Sequence, residues 1–404
     1  MNFELHWEDI NRPGGYHLPV RPTALKKLKG LGTTIFSEMT RLANEQGAVN
    51  LAQGFPDFDG PEFAKGAALA AIRAGEGQYA RMTGIPEMHE ALAKKYQRDY
   101  ALAYAPDTEW TVTSGATEAI FAAIQGLCEP GDEVILFEPY YDSYKPSVRM
   151  AGGIPRVVTL YGPTWHFSPE ELRAAFSPKT RAILVNSPHN PTGKVFSFAE
   201  LETIAHLCIE HDVVCITDEV YEHMVYDGKH IPMATLSGMR ERTITISSFG
   251  KTFSLTGWKI GWAGAPPSLT EPLRAVHQFI TFSTATPLQY GAAAALEAPE
   301  GYYAKLCSDY KAKRDYFVEA LRRIGFKVSV PAGGYFVCAD FRMFGFEDDV
   351  SFCRHLIYEI GVAAIPPTFF YDNTQHGRSY VRFAFCKRQE SLENAVKRLE
   401  KLWK

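Results

Sequence analysis

The sequence lacks an excess of either charge, and this absence excludes one class of partner. Its 404 residues include 42 Lys and Arg against 46 Asp and Glu, a net charge of -4. Neutralising the phosphates of a nucleic acid requires a basic excess or a basic stripe, so nucleic acid is not expected as a partner. Hydrophobic residues make up 46% and charged residues 22%, the profile of a globular protein with a large core.

Long apolar runs, an export signal and paired cysteines are also lacking. The longest uncharged stretch, residues 275–296, is interrupted by polar residues and a proline, so it would span a bilayer badly. The first residues are acidic where a signal peptide needs positive charge. The seven cysteines stand far apart, without the two-residue spacing of zinc or redox motifs. We therefore expect no membrane partner and a reducing, cytoplasmic location.

Several common catalytic motifs are incomplete or absent. Gly250-Lys251-Thr252 resembles the end of a nucleotide-binding loop, but Thr245 stands where that loop needs glycine. His89 is followed by Ala93 where a zinc protease has its second histidine, and no Gly-x-Ser-x-Gly or Gly-x-Gly-x-x-Gly occurs. No metal site and no Ser-His-Asp chemistry are therefore expected.

The middle of the chain alternates short β-branched runs with longer amphipathic stretches. This alternation predicts an α/β fold with a mostly parallel, seven-stranded sheet flanked by helices. Ser197 and Glu200 form a capping box, which predicts a helix that ends near His211. The predicted strands are residues 110–113, 133–137, 156–160, 181–186, 213–218, 243–247 and 260–263.

The two ends of the chain show a different pattern, with long helices and a few strand-like pieces. We expect these ends, residues 1–55 and 290–404, to meet as a smaller α+β domain beside a large domain of residues 56–289. The elements predicted there are helices at 36–46, 304–324 and 391–402 and strands at 327–330, 335–340 and 379–385.

Suggestive sequences follow several predicted strands, and ligands in such folds bind beyond the carboxyl ends of the strands. Residues 113–118 lead into a helix whose start is either a phosphate seat or an ordinary tight turn. Residues 186–193 form a restricted loop in which Asn190 is either a ligand contact or a turn residue. Asp218 ends an apolar run, where a carboxylate needs a positive partner or caps a helix.

Lys251 follows the next strand and is flanked by aromatic and small residues. A partly buried lysine has a lowered pKa and becomes a nucleophile, whereas most lysines are solvated surface residues. Lys251 alone is therefore weak evidence. Together with Asn190, Asp218, Tyr221 and Lys259, in this order and at these separations, it forms a far more specific set.

This set resembles the fold-type I pyridoxal-phosphate enzymes, specifically the class I aminotransferases. The chain is most similar to the kynurenine/glutamine aminotransferases, also called cysteine-S-conjugate β-lyases, and to the methionine aminotransferases. Residues 51–58, 138–142, 251–262 and 380–383 carry the closer match, so the resemblance covers nearly the whole chain. It implies a pyridoxal 5′-phosphate (PLP) cofactor and a homodimer with active sites shared between subunits.

The resemblance also implies a role for each site residue. Lys251 would hold the cofactor as an internal aldimine and shuttle the Cα proton, while Asp218 would keep the ring nitrogen protonated. The other implied cofactor contacts are Tyr221 and Asn190 at the ring oxygen, Tyr141 at the ring face, Ala116, Thr117, Ser248 and Lys259 at the phosphate, and Tyr79 at the phosphate of the neighbouring subunit. The implied substrate contacts are Arg382, Gly54 and Asn190 at the α-carboxylate end and Phe36, Phe282 and Ser283 around the side chain.

The expected substrate follows from a missing charge. No Lys or Arg stands between His277 and Tyr290, where dicarboxylate-specific relatives carry a basic residue. We expect amino transfer to a 2-oxo acid, by a ping-pong mechanism, from a large uncharged L-amino acid such as methionine, glutamine, phenylalanine or kynurenine. Ser283 stands where kynurenine enzymes are expected to have histidine, which counts against kynurenine itself. The sequence leaves open a cysteine-S-conjugate β-lyase and an aminotransferase of another amino acid, such as aspartate.

Overall fold

The structure of the protein is a computed structural model, which describes residues 34–403. Residues 1–33 of the predicted small domain, and Lys404, lie outside the described residues. The helices are α1 (Ile35–Gln46), α2 (Glu62–Ala74), α3 (Pro86–Tyr100), α4 (Pro106–Glu109), α5 (Gly115–Leu127), α6 (Tyr144–Met150), α7 (Pro169–Ala175), α8 (Phe198–Glu210), α9 (Phe249–Thr252), α10 (Pro267–Ile280), α11 (Thr286–Leu296), α12 (Tyr302–Ile324), α13 (Asp349–His355) and α14 (Gln389–Leu399). The strands are β1 (Val49–Asn50), β2 (Trp110–Thr113), β3 (Glu133–Glu138), β4 (Ile154–Thr159), β5 (Thr180–Asn186), β6 (Val214–Asp218), β7 (Thr243–Ser248), β8 (Gly261–Gly264), β9 (Lys327–Val328), β10 (Phe336–Asp340), β11 (Val362–Ala363) and β12 (Tyr380–Ala384).

A seven-stranded sheet forms the centre of the molecule, in the strand order β2-β8-β7-β6-β5-β3-β4. β8 runs antiparallel to both of its neighbours, and the other neighbouring pairs are parallel. The predicted α/β fold with a mostly parallel, seven-stranded sheet is confirmed. Because β5, β6 and β7 are parallel neighbours, their carboxyl ends lie along one edge of the sheet.

Alternate residues of the strands pack into different hydrophobic clusters. Along β3, Val134 and Leu136 belong to a cluster with residues of α5, α6 and α10. Ile135 and Phe137 belong to another cluster, with residues of α7 and α8. Because successive side chains of a strand point to opposite faces, helices cover both faces of the sheet. This double burial explains why the strands read as nearly continuous apolar runs in the sequence.

Segments from both described ends of the chain share a second core. β1 pairs in parallel with β11, and β10 lies between β12 and β9 in an antiparallel sheet. One hydrophobic cluster joins residues of α1 with residues of α12, α13 and α14. The predicted division into a domain of residues 56–289 and a domain of 1–55 with 290–404 stays a prediction.

The sequence pattern predicted most of the helices and strands but not the shortest strands. The capping box of Ser197 and Glu200 starts α8, which has His211 as its C-cap, as predicted. β1 and β11 have two residues each, too few to show any periodicity, and were not predicted. The last helix ends at Leu399 rather than at 402, because residues 400–403 form a 3-10 turn.

All seven cysteines are free, and Cys215 is fully buried, as expected of a small core side chain. Within residues 34–403, no helix is both long enough and apolar enough to cross a membrane.

Candidate active site

A cavity of about 440 Å³ lies at the carboxyl edge of the parallel strands. Its volume is that of a pocket for a small organic ligand. The structure brings most of the predicted site residues together in its lining. These residues are Phe36, Gly54, Ala116, Thr117, Tyr141, Asn190, Asp218, Tyr221, Ser248, Lys251, Lys259 and Arg382.

Lys251 lies on the short helix α9, just beyond the end of β7. Burial lowers the pKa of its amine, and the positive charges of Lys259 and Arg382 act in the same direction, against the opposing effects of Cys386 and Asp218. Its Nζ atom makes no hydrogen bond or ion pair with any residue of the described chain. The cavity therefore contains an amine that is easier to deprotonate than a surface lysine and is free to react.

Asp218, the last residue of β6, is a buried carboxylate. Burial raises the pKa of this carboxyl group. Hydrogen bonds from the Tyr144 hydroxyl and from the backbone N–H of Val220 oppose the rise, as does the positive charge of Lys251. The Tyr144 hydroxyl donates to Oδ2 of Asp218 at 2.6 Å. The sequence had suggested a positive partner or a helix cap. The direct partner is instead this neutral hydroxyl, which α6 supplies, and Asp218 caps none of the described helices.

The start of α5 forms a seat for an anion beside Lys259. The first backbone N–H groups of a helix, here those of Ala116 and Thr117, have no partner within the helix, and the helix dipole adds positive charge. A Cβ atom on Gly115 would lie 3.2 Å from Nζ of Lys259, so the lysine amine lies against the helix start. Ser248, at the end of β7, adds a hydroxyl to the lining. This combination suits a phosphate group.

Arg382, on β12, is a buried cation without a carboxylate partner in the described chain. Its guanidinium donates to Oδ1 of Asn190 at 3.1 Å and to the carbonyl of Ala52 at 2.5 Å. Its Nε atom is buried and has no hydrogen-bond partner among residues 34–403. Burial lowers the pKa of Arg382 to about 10. A buried positive charge with an uncommitted donor is suited to bind the carboxylate of a ligand.

Aromatic rings form other parts of the wall. The Tyr141 ring meets the Tyr144 ring at a centroid distance of 5.7 Å, and Tyr221 packs edge-on against Tyr335 at 5.0 Å. A Cβ atom on Gly54 would lie 2.5 Å from Cζ of Phe336, so this position accepts no side chain without a shift of the ring. Gly54 therefore brings its backbone close to the cavity beside Phe336.

Three predicted site residues do not line the cavity that this chain forms. Tyr79 and Phe282 are exposed and contact each other, with ring centroids 5.5 Å apart. Ser283 is half-buried next to Phe282. Their assignment to a site shared between two subunits stays a prediction.

The structure adds three residues that sequence reasoning missed. Tyr144 and Asp142 line the cavity close to Tyr141 in the chain, but their residue types gave no signal of their own. Asn186 donates from Nδ2 to the carbonyl of Asp218 at 2.8 Å and accepts from the amide of Asn190 at 2.7 Å. It lies at the end of a predicted strand, which is the one signal that could have found it.

The chemical groups of the lining fit PLP. The cavity offers a reactive amine for the cofactor's aldehyde, at Lys251, and a buried carboxylate for its ring nitrogen, at Asp218. The start of α5 with Lys259 offers the anion seat that its phosphate needs. The unpartnered donor of Arg382 then remains for a substrate carboxylate.

Comparison with known proteins gives consistent matches over nearly the whole chain. A family model described as aminotransferase class I and II matches residues 46–399. The chain is 45% identical to the probable N-succinyldiaminopimelate aminotransferase DapC of Mycobacterium tuberculosis, over 94% of this chain and 98% of that protein. It is 42% identical to kynurenine–oxoglutarate transaminase 3 of Mus musculus, over 92% of this chain and 88% of that protein. An Escherichia coli crystal structure, reported with a methionine aminotransferase function, matches with a TM-score of 0.91 and 40% identity, covering 95% of this chain and 100% of that one.

Proposed function

The chain belongs to the class I and II aminotransferases, and on this premise we propose that it transfers the amino group of a large, uncharged L-amino acid to a 2-oxo acid. The family resemblance, the transaminase class and the PLP cofactor expected from the sequence are confirmed. The choice of substrate is the proposal. The charge distribution of the cavity is the observation that supports it most directly.

PLP, when bound, supplies an electron-withdrawing ring that stabilises negative charge on the substrate Cα. We assign Lys251 Nζ to the cofactor's aldehyde and the Asp218 carboxylate to its ring nitrogen. The assigned phosphate contacts are the start of α5, Ser248 and Lys259. Tyr221 and Asn190 are assigned to the ring oxygen and Tyr141 to the ring face.

Lys251 also moves the proton in this proposal. A lowered pKa leaves a larger fraction of the amine neutral near neutral pH. A neutral Nζ can accept the proton from the substrate Cα and would return it at the carbon of the cofactor's aldehyde group. The buried cavity keeps the amine free of other hydrogen bonds within the described chain, so the electron pair is available. One residue thus acts as base and then as acid.

Arg382 orients the substrate. Its planar guanidinium binds the α-carboxylate through parallel N–H donors, a geometry that a lysine does not offer. The existing bonds to Asn190 and Ala52 hold the guanidinium in place before the substrate arrives. The rings of Phe36 and Phe336 lie 5.0 and 4.3 Å from it and restrict its motion further.

The remaining charges of the cavity disfavour a second carboxylate on the substrate. Within residues 34–403, the cations of the lining are Lys251, Lys259 and Arg382, and each already has a role. Asp142 adds a carboxylate to the lining and has no hydrogen-bond partner in the described chain. A distal carboxylate of the substrate would therefore meet a negative charge and no free cation, which favours an uncharged side chain.

A second candidate reaction is favoured by the 45% identity to the Mycobacterium tuberculosis relative. It is amino transfer with N-succinyl-diaminopimelate, whose far end carries negatively charged carboxylates. The same lining charges count against it, because the described cavity holds no spare cation. The two candidates therefore make opposite predictions about a distal negative charge.

A donor panel with purified holoenzyme tests the proposal. The visible absorbance of the bound cofactor should change on addition of methionine, glutamine or phenylalanine and change far less with aspartate. The highest kcat/KM with N-succinyl-diaminopimelate would support the second candidate, and the highest with aspartate would defeat the proposal. Ammonia and pyruvate released from a cysteine S-conjugate, without any 2-oxo acid, would indicate the β-lyase.

The assembly and location of the protein also belong to the proposal. We propose a homodimer in which Tyr79, Phe282 and Ser283 complete the site of the neighbouring subunit, and a cytoplasmic location. Exposed Tyr79 and Phe282 support the first point, since large aromatic side chains at the surface favour a protein contact. Analytical ultracentrifugation tests the dimer directly, and a monomeric active enzyme would contradict it.

A further inference from the structure

Residues 218–222, at the end of β6 and just beyond it, carry two sets of side chains. Asp218 and Tyr221 line the cavity. Glu219 and Glu222 do not, and they make buried polar contacts elsewhere. Oε2 of Glu219 is hydrogen-bonded to Nε2 of His230 at 2.8 Å. The Glu222 carboxylate accepts hydrogen bonds from side chains of two other elements of the fold.

Glu222 connects three parts of the molecule through one carboxylate. Its Oε2 atom accepts from Lys95 Nζ at 2.6 Å and from the Tyr100 hydroxyl at 2.5 Å, both on α3. Its Oε1 atom accepts from the Ser247 hydroxyl at 2.9 Å, on β7. Burial alone would raise the pKa of Glu222, but the positive charge of Lys95 and the neighbouring histidines lower it to about 2. The carboxylate is therefore charged and fully engaged.

This connection begins where the sheet pairing stops. The register of β6 with β7 ends at the pair of Asp218 and Ile246, and one further backbone bond joins the amide of Glu219 to the carbonyl of Ile246 at 2.8 Å. Beyond that point the Glu222 and Ser247 side chains join the two segments. A charged acceptor makes a stronger hydrogen bond than a neutral one and so holds a more definite geometry.

The two joined segments carry the reacting groups. Glu222 directly follows Tyr221, and Ser247 directly precedes Ser248 at the approach to Lys251. A small displacement of one segment relative to the other would change the position of the lysine amine with respect to Asp218. A buried ion pair contributes little net stability but can define one arrangement.

We propose that Glu222 is a positioning residue that, through Ser247, holds the Lys251 segment in register with the Asp218 segment. This inference rests on the proposed function, because it concerns the geometry of the same site. It concerns residues that contact neither the cofactor seat nor the substrate end of the cavity in the described chain.

Two variants distinguish a positioning role of the Ser247–Glu222 hydrogen bond from the loss of any one hydrogen bond to the Glu222 carboxylate. Ser247→Ala removes the hydroxyl that joins β7 to the carboxylate and leaves the Lys95–Glu222 ion pair intact. Tyr100→Phe is the matched control, because it also removes one hydroxyl donor to the same carboxylate but does not affect the β6–β7 connection. Both variants should fold with a Tm close to that of the parent.

The readouts are kcat, KM and the visible circular dichroism of the bound cofactor. Misplacement of a reacting group should lower kcat of Ser247→Ala by about tenfold to a hundredfold while KM stays within about twofold. Its visible circular dichroism should change, and Tyr100→Phe should match the parent in every readout. Equal losses of kcat in both variants, or a parent-like Ser247→Ala, would overturn the inference. A parent enzyme that transaminates no donor would instead defeat the proposed function, and the circular dichroism would still report on positioning.

Discussion

The hydroxyl of Tyr144 donates a hydrogen bond of 2.6 Å to Oδ2 of Asp218, which lies 74 residues further along the chain. Both side chains are buried. The bond stabilises the charged form of the carboxyl group. Because the donor is a neutral hydroxyl, it does not cancel the negative charge, whereas a contacting cation would. The hydrogen bond thus favours the negative charge that a bound ring nitrogen would require of Asp218.

Replacing Tyr144 by Phe tests this relationship. The hydrogen bond lowers the pKa of Asp218, so its loss should raise that pKa further. Since the anion is the active form, activity is lost as pH falls through this pKa, and the acid limb of kcat/KM should move to higher pH. At neutral pH the rate should fall by about tenfold to a hundredfold, which corresponds to the roughly 1.5–3 kcal/mol of a hydrogen bond to a charged group. Tyr104→Phe, which removes another buried hydroxyl outside the cavity lining, is the control, and an unmoved acid limb would contradict the prediction.

Replacing Lys251 by Ala should abolish the covalent attachment of the cofactor. Amino transfer should fall by about a hundredfold to ten-thousandfold, the range for loss of a positioned acid–base group. Borohydride reduction followed by mass spectrometry should locate the cofactor on the peptide that contains Lys251 in the parent and on no peptide in the variant. Lys194→Ala removes a lysine outside the cavity lining as a control. Parent-like transamination by Lys251→Ala would contradict the assignment.

Replacing Arg382 by Lys tests the binding of the α-carboxylate. The charge remains, but the parallel donors are lost, so KM for methionine should rise about tenfold to a hundredfold. The affinity of the apoenzyme for PLP should stay nearly the same, because Arg382 is assigned to the substrate. Equilibrium titration with PLP measures this second quantity. An unchanged KM would show that another group binds the carboxylate.

Replacing Asp142 by Asn tests the discrimination against distal carboxylates. Removing the negative charge should raise kcat/KM for glutamate relative to methionine by about fivefold to tenfold. KM for 2-oxoglutarate should fall as well, because acceptor and donor use the same site in a ping-pong cycle. Asp309→Asn, at an exposed residue of α12, is the charge-matched control. Equal effects of both substitutions would mean that Asp142 does not face the substrate.

Asp349, a buried residue of α13, makes a prediction about stability. Its carboxylate accepts from the amide and the hydroxyl of Thr368, at 2.8 and 3.1 Å, and burial raises its pKa to about 6. The folded state therefore binds this proton more tightly than the unfolded state, so stability increases as pH falls from about 6 towards about 3.9, the ordinary pKa of an aspartate side chain. Asp349→Asn should be more stable than the parent at pH above 6, by at most about 3 kcal/mol.

Thermal unfolding between pH 4 and 8 measures this effect. The difference in stability between Asp349→Asn and the parent should shrink as the pH falls. Asp212→Asn, at an exposed acidic residue, is the matched control for the loss of one carboxylate. A difference that is independent of pH would mean that the carboxyl group of Asp349 is ordinary in the folded state.

Much of the site could be predicted from the sequence because its residues follow strands. Asn190 and Lys251 follow β5 and β7, and Asp218 is the last residue of β6. The carboxyl ends of parallel neighbours necessarily share an edge. Arg382 lies on β12 of the three-stranded sheet, and only the family resemblance pointed to it. The roles of Tyr79, Phe282 and Ser283 depend on a second subunit, which one chain does not describe.

The sequence by itself determined the central sheet, since burial on both faces requires runs such as β3 and β6 to be nearly continuous in apolar residues. Through the family resemblance, it also pointed to the lysine and the carboxylate that the structure brings together in the cavity lining. Only the tertiary structure decided that Tyr144 is the partner of Asp218, and that Lys95 reaches Glu222 across 127 residues of chain. Such contacts arise from the way helices pack onto the sheet, and the spacing of residues along the chain carries no signal of them.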